Sequence, residues 1–242
     1  MDERFTSPGA AFAAQQAEET RLLIEVEKAM SRLAERAREG VLAYTLSAAA
    51  LRQEWEREVQ HVLERCGFTG PPAEALRRSL VGQSIAEDMF QVADGVMRYA
   101  LAEGSTRAEI EEALAELLGD PSLVASGAVR RLWQKVQDWL PSRTRAWRSR
   151  ARSAVRTAYT GYSGALAQAW LETSGATFKR WVTRRDDRVR HTHHLADGQA
   201  VPVQGRFLVG EGFLAFPGDP TGPIGEVINC RCVLVAADRQ GK

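Results

Sequence analysis

Over residues 7–175 the apolar positions recur at helical spacing. Ser7 followed by Pro8 reads as a cap with proline in the first turn, and the helix runs on from residue 11 to residue 39, stopping before Gly40. Leu22, Leu23, Val26, Met30, Leu33 and Ala37 share one stripe of it. Ser47 is placed to cap a second helix whose Leu51, Trp55, Val59, Val62 and Leu63 keep the period until Gly67. Residues 67–72, with two glycines and two prolines, form a break, and helical patterning resumes over 73–80 and 85–101. Thr106 and Glu109 make a capping box that opens a short helix ending at Gly119. The last helical stretch covers 128–170 with an interruption at Pro141, and in it Trp147, Ala151, Ala154, Val155, Ala158, Tyr159, Tyr162, Leu166, Ala169 and Trp170 form the apolar face.

The period changes after Gly175. Residues 176–183 alternate as a strand, with Phe178 and Val182 on one face and Trp181 on the other. The polar residues that follow put the histidines on a loop or a short helical turn. Short apolar runs at 201–203 and 207–209, bounded by glycines, read as two more strands. Residues 232–236 are continuously apolar and read as the central strand of a small sheet. The pattern therefore predicts a mainly α N-terminal region over 1–175, bundled or elongated, and a small α+β domain over 176–242. A module of that size has a marginal core of its own, so it needs a metal, a disulfide or docking onto the preceding helices.

Composition adds modest limits. The 242 residues are 44% hydrophobic, enough for a proper core, and the net charge of +1 exerts no global pull toward nucleic acid or membrane. No run is long and apolar enough for a membrane span, and the start of the chain has no signal-peptide pattern. Three cysteines do not make a secreted disulfide framework, so a reducing cytoplasm is the expected place of synthesis. Charge matters locally: Arg143, Arg145, Arg148, Arg150, Arg152 and Arg156 make a basic stripe suited to phosphate or to an acidic partner protein.

Candidate chemistry is concentrated at the end of the chain, where three of the four histidines and two of the three cysteines lie. His193, Cys230 and Cys232 are the soft donors that zinc prefers, with His191, His194 or Asp197 as a fourth. The alternative is no cofactor at all: two buried thiols in a β core, with the histidines solvated. A Cys230–Cys232 disulfide conflicts with the geometry of same-face strand neighbours. The same loop offers a nuclease reading, with His193 or His194 as general base and Arg188 or Arg190 stabilising a phosphorane, but no known catalytic spacing accompanies it. If the loop is structural, Asp187 pairs with an arginine, and Asn229 supplies a turn or bonds to neighbouring backbone.

Trp181, the run Asp187, Arg188, Val189, Arg190 and His193, the pair Asp197 and Gly198, the turn Pro217, Asp219 and Pro220, and the closure Glu226, Ile228, Asn229, Cys230, Arg231 and Cys232 together resemble the C-terminal domain of the phage Mu protein F-like family. These are minor head, or head morphogenesis, proteins of tailed bacteriophages. The resemblance covers the last quarter of the chain, with a weaker extension over 154–175, where Ala158 stands in place of the family's acidic residue. Many members carry a Cys-x-x-Cys pair where this chain has Arg190 and His193, which would complete a four-cysteine set there and leaves one ligand fewer here. The resemblance implies a structural virion component rather than an enzyme. It would assemble in the bacterial cytoplasm, partner the portal or major capsid protein, touch packaged double-stranded DNA and have no membrane association.

Overall fold

The structure is a computed structural model that describes residues 2–43, 45–82, 84–102, 106, 108–109 and 141–238. The helices expected over 110–119 and 128–140 lie outside the described residues. The capping box at their entry is described: Thr106 Oγ receives the Glu109 N–H at 3.3 Å, and Glu109 Oε2 accepts the Thr106 N–H at 2.8 Å.

Five long helices are present among the described residues: α1 (Pro8–Leu42), α2 (Ala48–Arg65), α3 (Gly70–Val81), α4 (Ile85–Ala102) and α5 (Pro141–Thr173). They are followed by β1 (Phe178–Val182), α6 (His191–Ala196), β2 (Ala200–Pro202), β3 (Phe207–Val209), β4 (Gly212–Leu214), α7 (Ile224–Val227) and β5 (Val233–Ala237). An α region followed by an α+β region is thus the observed fold class. The boundaries move where proline was read as a breaker. Pro71 and Pro72 sit in the first turn of α3, and Pro141 opens α5, because a missing N–H costs nothing where the helix has no partner for it. Likewise Gly40 does not end α1, which runs on to Leu42.

The chain forms two compact units. One comprises residues 24–67 and 80–151. Its core is built from Val26, Met30, Leu33 and Ala37 of α1, Leu51, Trp55, Val59 and Val62 of α2, and Ile85, Ala86 and Met89 of α4, all buried. Ser47 caps α2 by accepting the Ala50 N–H at 3.2 Å, and the Trp55 indole N–H reaches the Leu80 carbonyl at 3.4 Å. The charged faces are laced by pairs such as Arg32–Glu58 at 2.5 Å and Arg65–Glu25 at 3.2 Å.

The other unit comprises residues 1–23, 68–79 and 152–242. Its centre is an antiparallel sheet in the order β2-β1-β5, with Lys179 opposite Val201 on one side and Ala236 on the other. The central strand is therefore β1, and β5, expected in the middle, is at an edge. Its unbroken apolar run has another cause. Cys232 and Leu234 face the larger core with Trp181, Phe207, Leu214 and Leu171, while Val233 and Val235 face a second cluster with Val182, Ala11 and Phe12 of α1. Burial on both faces, not a central position, makes the run apolar. A separate hairpin pairs β3 with β4 through Leu208 opposite Phe213; β4 goes beyond the strands expected from the sequence, because a three-residue strand that begins at Gly212 carries little period.

The stripe on α5 also drifts from expectation. Beyond Tyr159 the buried positions are Thr160, Gly164, Ala167 and Leu171, and Leu166 is exposed. The cause is close approach of backbone: a methyl added to Gly164 would stand 2.4 Å from the Pro217 carbonyl oxygen, and one on Gly161 would stand 2.8 Å from that of Gly218. These two glycines let the Pro217–Gly218 turn lie directly on the helix.

Candidate functional site: a buried His-Cys-Cys centre and the clamps around it

The loop from β1 to α6 is held by charge. Asp186 receives Arg231 through both carboxylate oxygens at 2.6 and 2.7 Å and also accepts the Arg188 backbone N–H at 3.1 Å. The Arg231 hydrogen bonds pull the Asp186 carboxyl down to about 2. The arginine partnership expected of Asp187 thus belongs to its neighbour, while Asp187 and Arg188 turn their side chains to solvent. Arg190, the N-cap residue of α6, donates through its guanidinium to the Ile228 carbonyl, tying this loop to the one that carries the cysteines.

Asn229 has the expected turn role, with φ of 54°, a left-handed conformation that asparagine tolerates better than most residues. Its N–H reaches Thr157 Oγ at 2.9 Å. The next residue is anchored to the same helix: Thr160 Oγ donates to the Cys230 carbonyl at 2.6 Å and accepts from Gln15 Nε2 at 3.1 Å. Asp197 and Asp219 serve as backbone clamps. Asp197 accepts the Thr183 N–H at 2.8 Å and Arg185 Nε at 2.7 Å, and Gly198, at φ of 81°, returns its N–H to the Trp181 carbonyl at 2.9 Å. Asp219, buried, accepts the N–H groups of Ala215 and Thr221 at 2.8 and 2.9 Å. Burial pushes the Asp219 carboxyl up, but these backbone donors outweigh it and hold it below the ordinary range.

Within this frame His193, Cys230 and Cys232 come together, at 2%, 1% and 3% exposure. His193 is therefore not solvated, unlike His191 and His194 on the same short helix. Its Nδ1 lies 3.3 Å from Cys232 Sγ and 3.8 Å from Cys230 Sγ, and its Nε2 lies 3.0 Å from Glu226 Oε2. A carboxylate on Nε2 requires the proton there, which leaves the Nδ1 lone pair facing the two sulfurs. Glu226 is itself aimed by the Thr192 hydroxyl at 2.8 Å. Trp181 packs edge-on against the imidazole with centroids 5.6 Å apart. A hydrogen bond from the Cys232 thiol draws Cys230 down, and the same partnership, with burial, pushes Cys232 up.

Residues 91–235, more than half of the chain, match the family described as phage Mu protein F like protein. The chain belongs to the phage Mu protein F-like family. No curated protein and no solved structure shows significant similarity to it. The match begins inside α4, well before the motifs legible at the C-terminus. As a member of the Mu F-like family the chain is associated with phage head morphogenesis, which suggests a structural rather than a catalytic role.

The geometry around the Mu F-like motifs agrees with that tendency. Of the residues in the nuclease reading, His193 is buried against sulfur and Arg190 is bound to a backbone carbonyl, while His194 and Arg188 are exposed. Within the basic stripe, Arg150 pairs with Asp88, and Arg156 with Glu19 at 2.8 Å; Arg148 and Arg152 are exposed, and the side chains of Arg143 and Arg145 are outside the described set. Sequence reasoning missed Glu226 as the partner of His193, although it lies four residues before Cys230 in the closing motif, as well as Thr160, Gln15 and Asp186. All four act across large chain separations, where no local spacing marks them.

Proposed function

We propose that this protein is a minor head protein of a tailed bacteriophage that acts during head assembly in the host cytoplasm and stays in the virion, at the portal or the inner capsid surface. The observation that carries the proposal is membership of the Mu F-like family over residues 91–235. The clamps give it a physical basis. Among the motif residues, Arg190, Asp197 and Asp219 bind backbone groups through their side chains, while Asn229 turns the chain and donates its own N–H to Thr157, so all four fix loops. Such a module presents a set surface to a protein partner. The exposure of Arg148 on the basic stripe supports contact with packaged DNA as a secondary role. No described helix is long and apolar enough to cross a membrane.

The test is to disrupt the gene in its phage or inducible prophage and examine lysates by electron microscopy. Defective or missing filled heads, restored by the gene supplied in trans, are expected. Normal yields of filled, infectious heads without it would contradict an assembly role.

A further inference from the structure

We infer that His193 Nδ1, Cys230 Sγ and Cys232 Sγ form a binding site for one zinc ion, with Glu226 as the residue that orients the histidine. The three donor atoms lie within 4.8 Å of one another and all three residues are buried. Two sulfurs and an imidazole are the donor set of zinc rather than of magnesium or calcium, which take oxygen. The spacing fits the size of the ion. Zinc bonds of about 2.3 Å to sulfur and about 2.0 Å to nitrogen, at a tetrahedral angle, separate a sulfur from a nitrogen by about 3.5 Å. The observed separations of 3.3 and 3.8 Å straddle that value.

The surroundings are those a metal-bound histidine needs. Glu226 accepts from Nε2 at 3.0 Å, so the metal-facing nitrogen carries the lone pair, and Thr192 fixes the carboxylate in turn. Cys230 and Cys232 flank Arg231 just before β5, with both sulfurs at His193 and the Arg231 guanidinium on Asp186. This accounts for a Cys-x-Cys spacing where a turn-based site would use Cys-x-x-Cys. The buried indole N–H of Trp181 lies beside the Cys232 sulfur, and a metal-bound thiolate is a stronger acceptor for it than a thiol. Two thiolates and a neutral imidazole balance the charge of Zn2+, so the filled centre is neutral in its apolar setting, and loading releases the thiol protons to solvent. Among the described residues three donors converge, and a water molecule takes the fourth coordination position. Arg190 ties the Ile228 carbonyl and so holds the cysteine loop in place.

The experiment uses the full chain, purified with a reductant, its zinc content measured, and then stripped and titrated with Co2+. One zinc per chain, a thiolate-to-cobalt charge-transfer band in the near ultraviolet and ligand-field bands of tetrahedral intensity are expected. The bands should vanish in Cys232→Ser and persist in Cys66→Ser. Glu226→Gln should weaken zinc binding by about 10–100-fold in competition with a chromophoric chelator. A reduced wild-type chain that is folded by circular dichroism, retains no zinc and gives no thiolate band with cobalt overturns the site. So does loss of the band in Cys66→Ser. Should Cys232→Ser fail to fold, the wild-type and Cys66→Ser spectra still decide. Unchanged affinity in Glu226→Gln would remove the orienting role of that residue.

Discussion

Lys179 is completely buried at the centre of the sheet, donating through Nζ to Gln168 Oε1 at 2.7 Å and to the Ala215 carbonyl at 2.8 Å, with its ammonium 5.4 Å from the centre of the Phe207 ring. Burial lowers its pKa from the ordinary 10.5 to about 8. Between those two values the unfolded chain binds more protons than the folded one, so this group makes stability rise with pH through that window. The melting temperature of the wild type relative to Lys179→Met should accordingly climb from pH 8 to pH 10.5, and a constant difference would contradict the assignment. Asp186 gives the same sign of slope in acid for the opposite reason, because folding favours its charged form rather than its neutral one. With its carboxyl held at about 2 against an ordinary 3.8, its contribution is complete above 3.8 and is lost as pH falls through about 2. Asp186→Asn should lower the melting temperature at neutral pH and lose that deficit in acid, while Asp187→Asn, on the exposed neighbour, should leave the profile unchanged. Equal effects from the two substitutions would show that the loop does not depend on the Arg231 bridge.

Among the elements, α5 carries most of the burden, since it offers the anchors Thr157, Thr160 and Gln168 and the two glycines on which the Pro217–Gly218 turn rests. Gly164→Ala should destabilise the chain by roughly 1–3 kcal/mol in chemical denaturation, because its methyl must displace a backbone carbonyl rather than a pliable side chain. Gly225→Ala, where an added methyl meets nothing within 4 Å, should be neutral or slightly stabilising. A negligible loss at Gly164 would mean that the turn can move off the helix.

The long helices were legible in the sequence because their apolar period is local and repeated many times, as Leu51, Trp55, Val59 and Val62 show. The order of the small sheet was not. Strands of three to five residues carry too few positions to report their neighbours, and a two-faced apolar run such as 232–236 does not say whether strands or a helix cover it. The site divided along the same line. His193, Cys230 and Cys232 could be named from residue type, whereas the Glu226, Thr160 and Gln15 contacts needed the chain to be folded.

At the scale of the whole molecule, the unit that contains the sheet joins residues 1–23 with residues 152–242. Phe5 stacks on Trp170 with centroids 5.1 Å apart, Arg184 lies over the Phe12 ring, and Ala11 packs on the edge strand. The start of the chain thus supplies part of the core that a module of this size lacks by itself, which meets the need for support anticipated from its length. The unit comprising residues 24–67 and 80–151 has its own core of α1, α2 and α4 side chains. Membership of the Mu F-like family reaches from α4 to β5, so the family's sequence is written into both units.

The central claim is that the chain is a component of the phage head. The most direct measurement is quantitative mass spectrometry of purified filled heads after a high-salt wash, with the portal protein as internal reference. Retention of this chain at a low and constant ratio to portal is the predicted result. Its absence from every washed particle, with portal and major capsid protein recovered in full, would contradict the account.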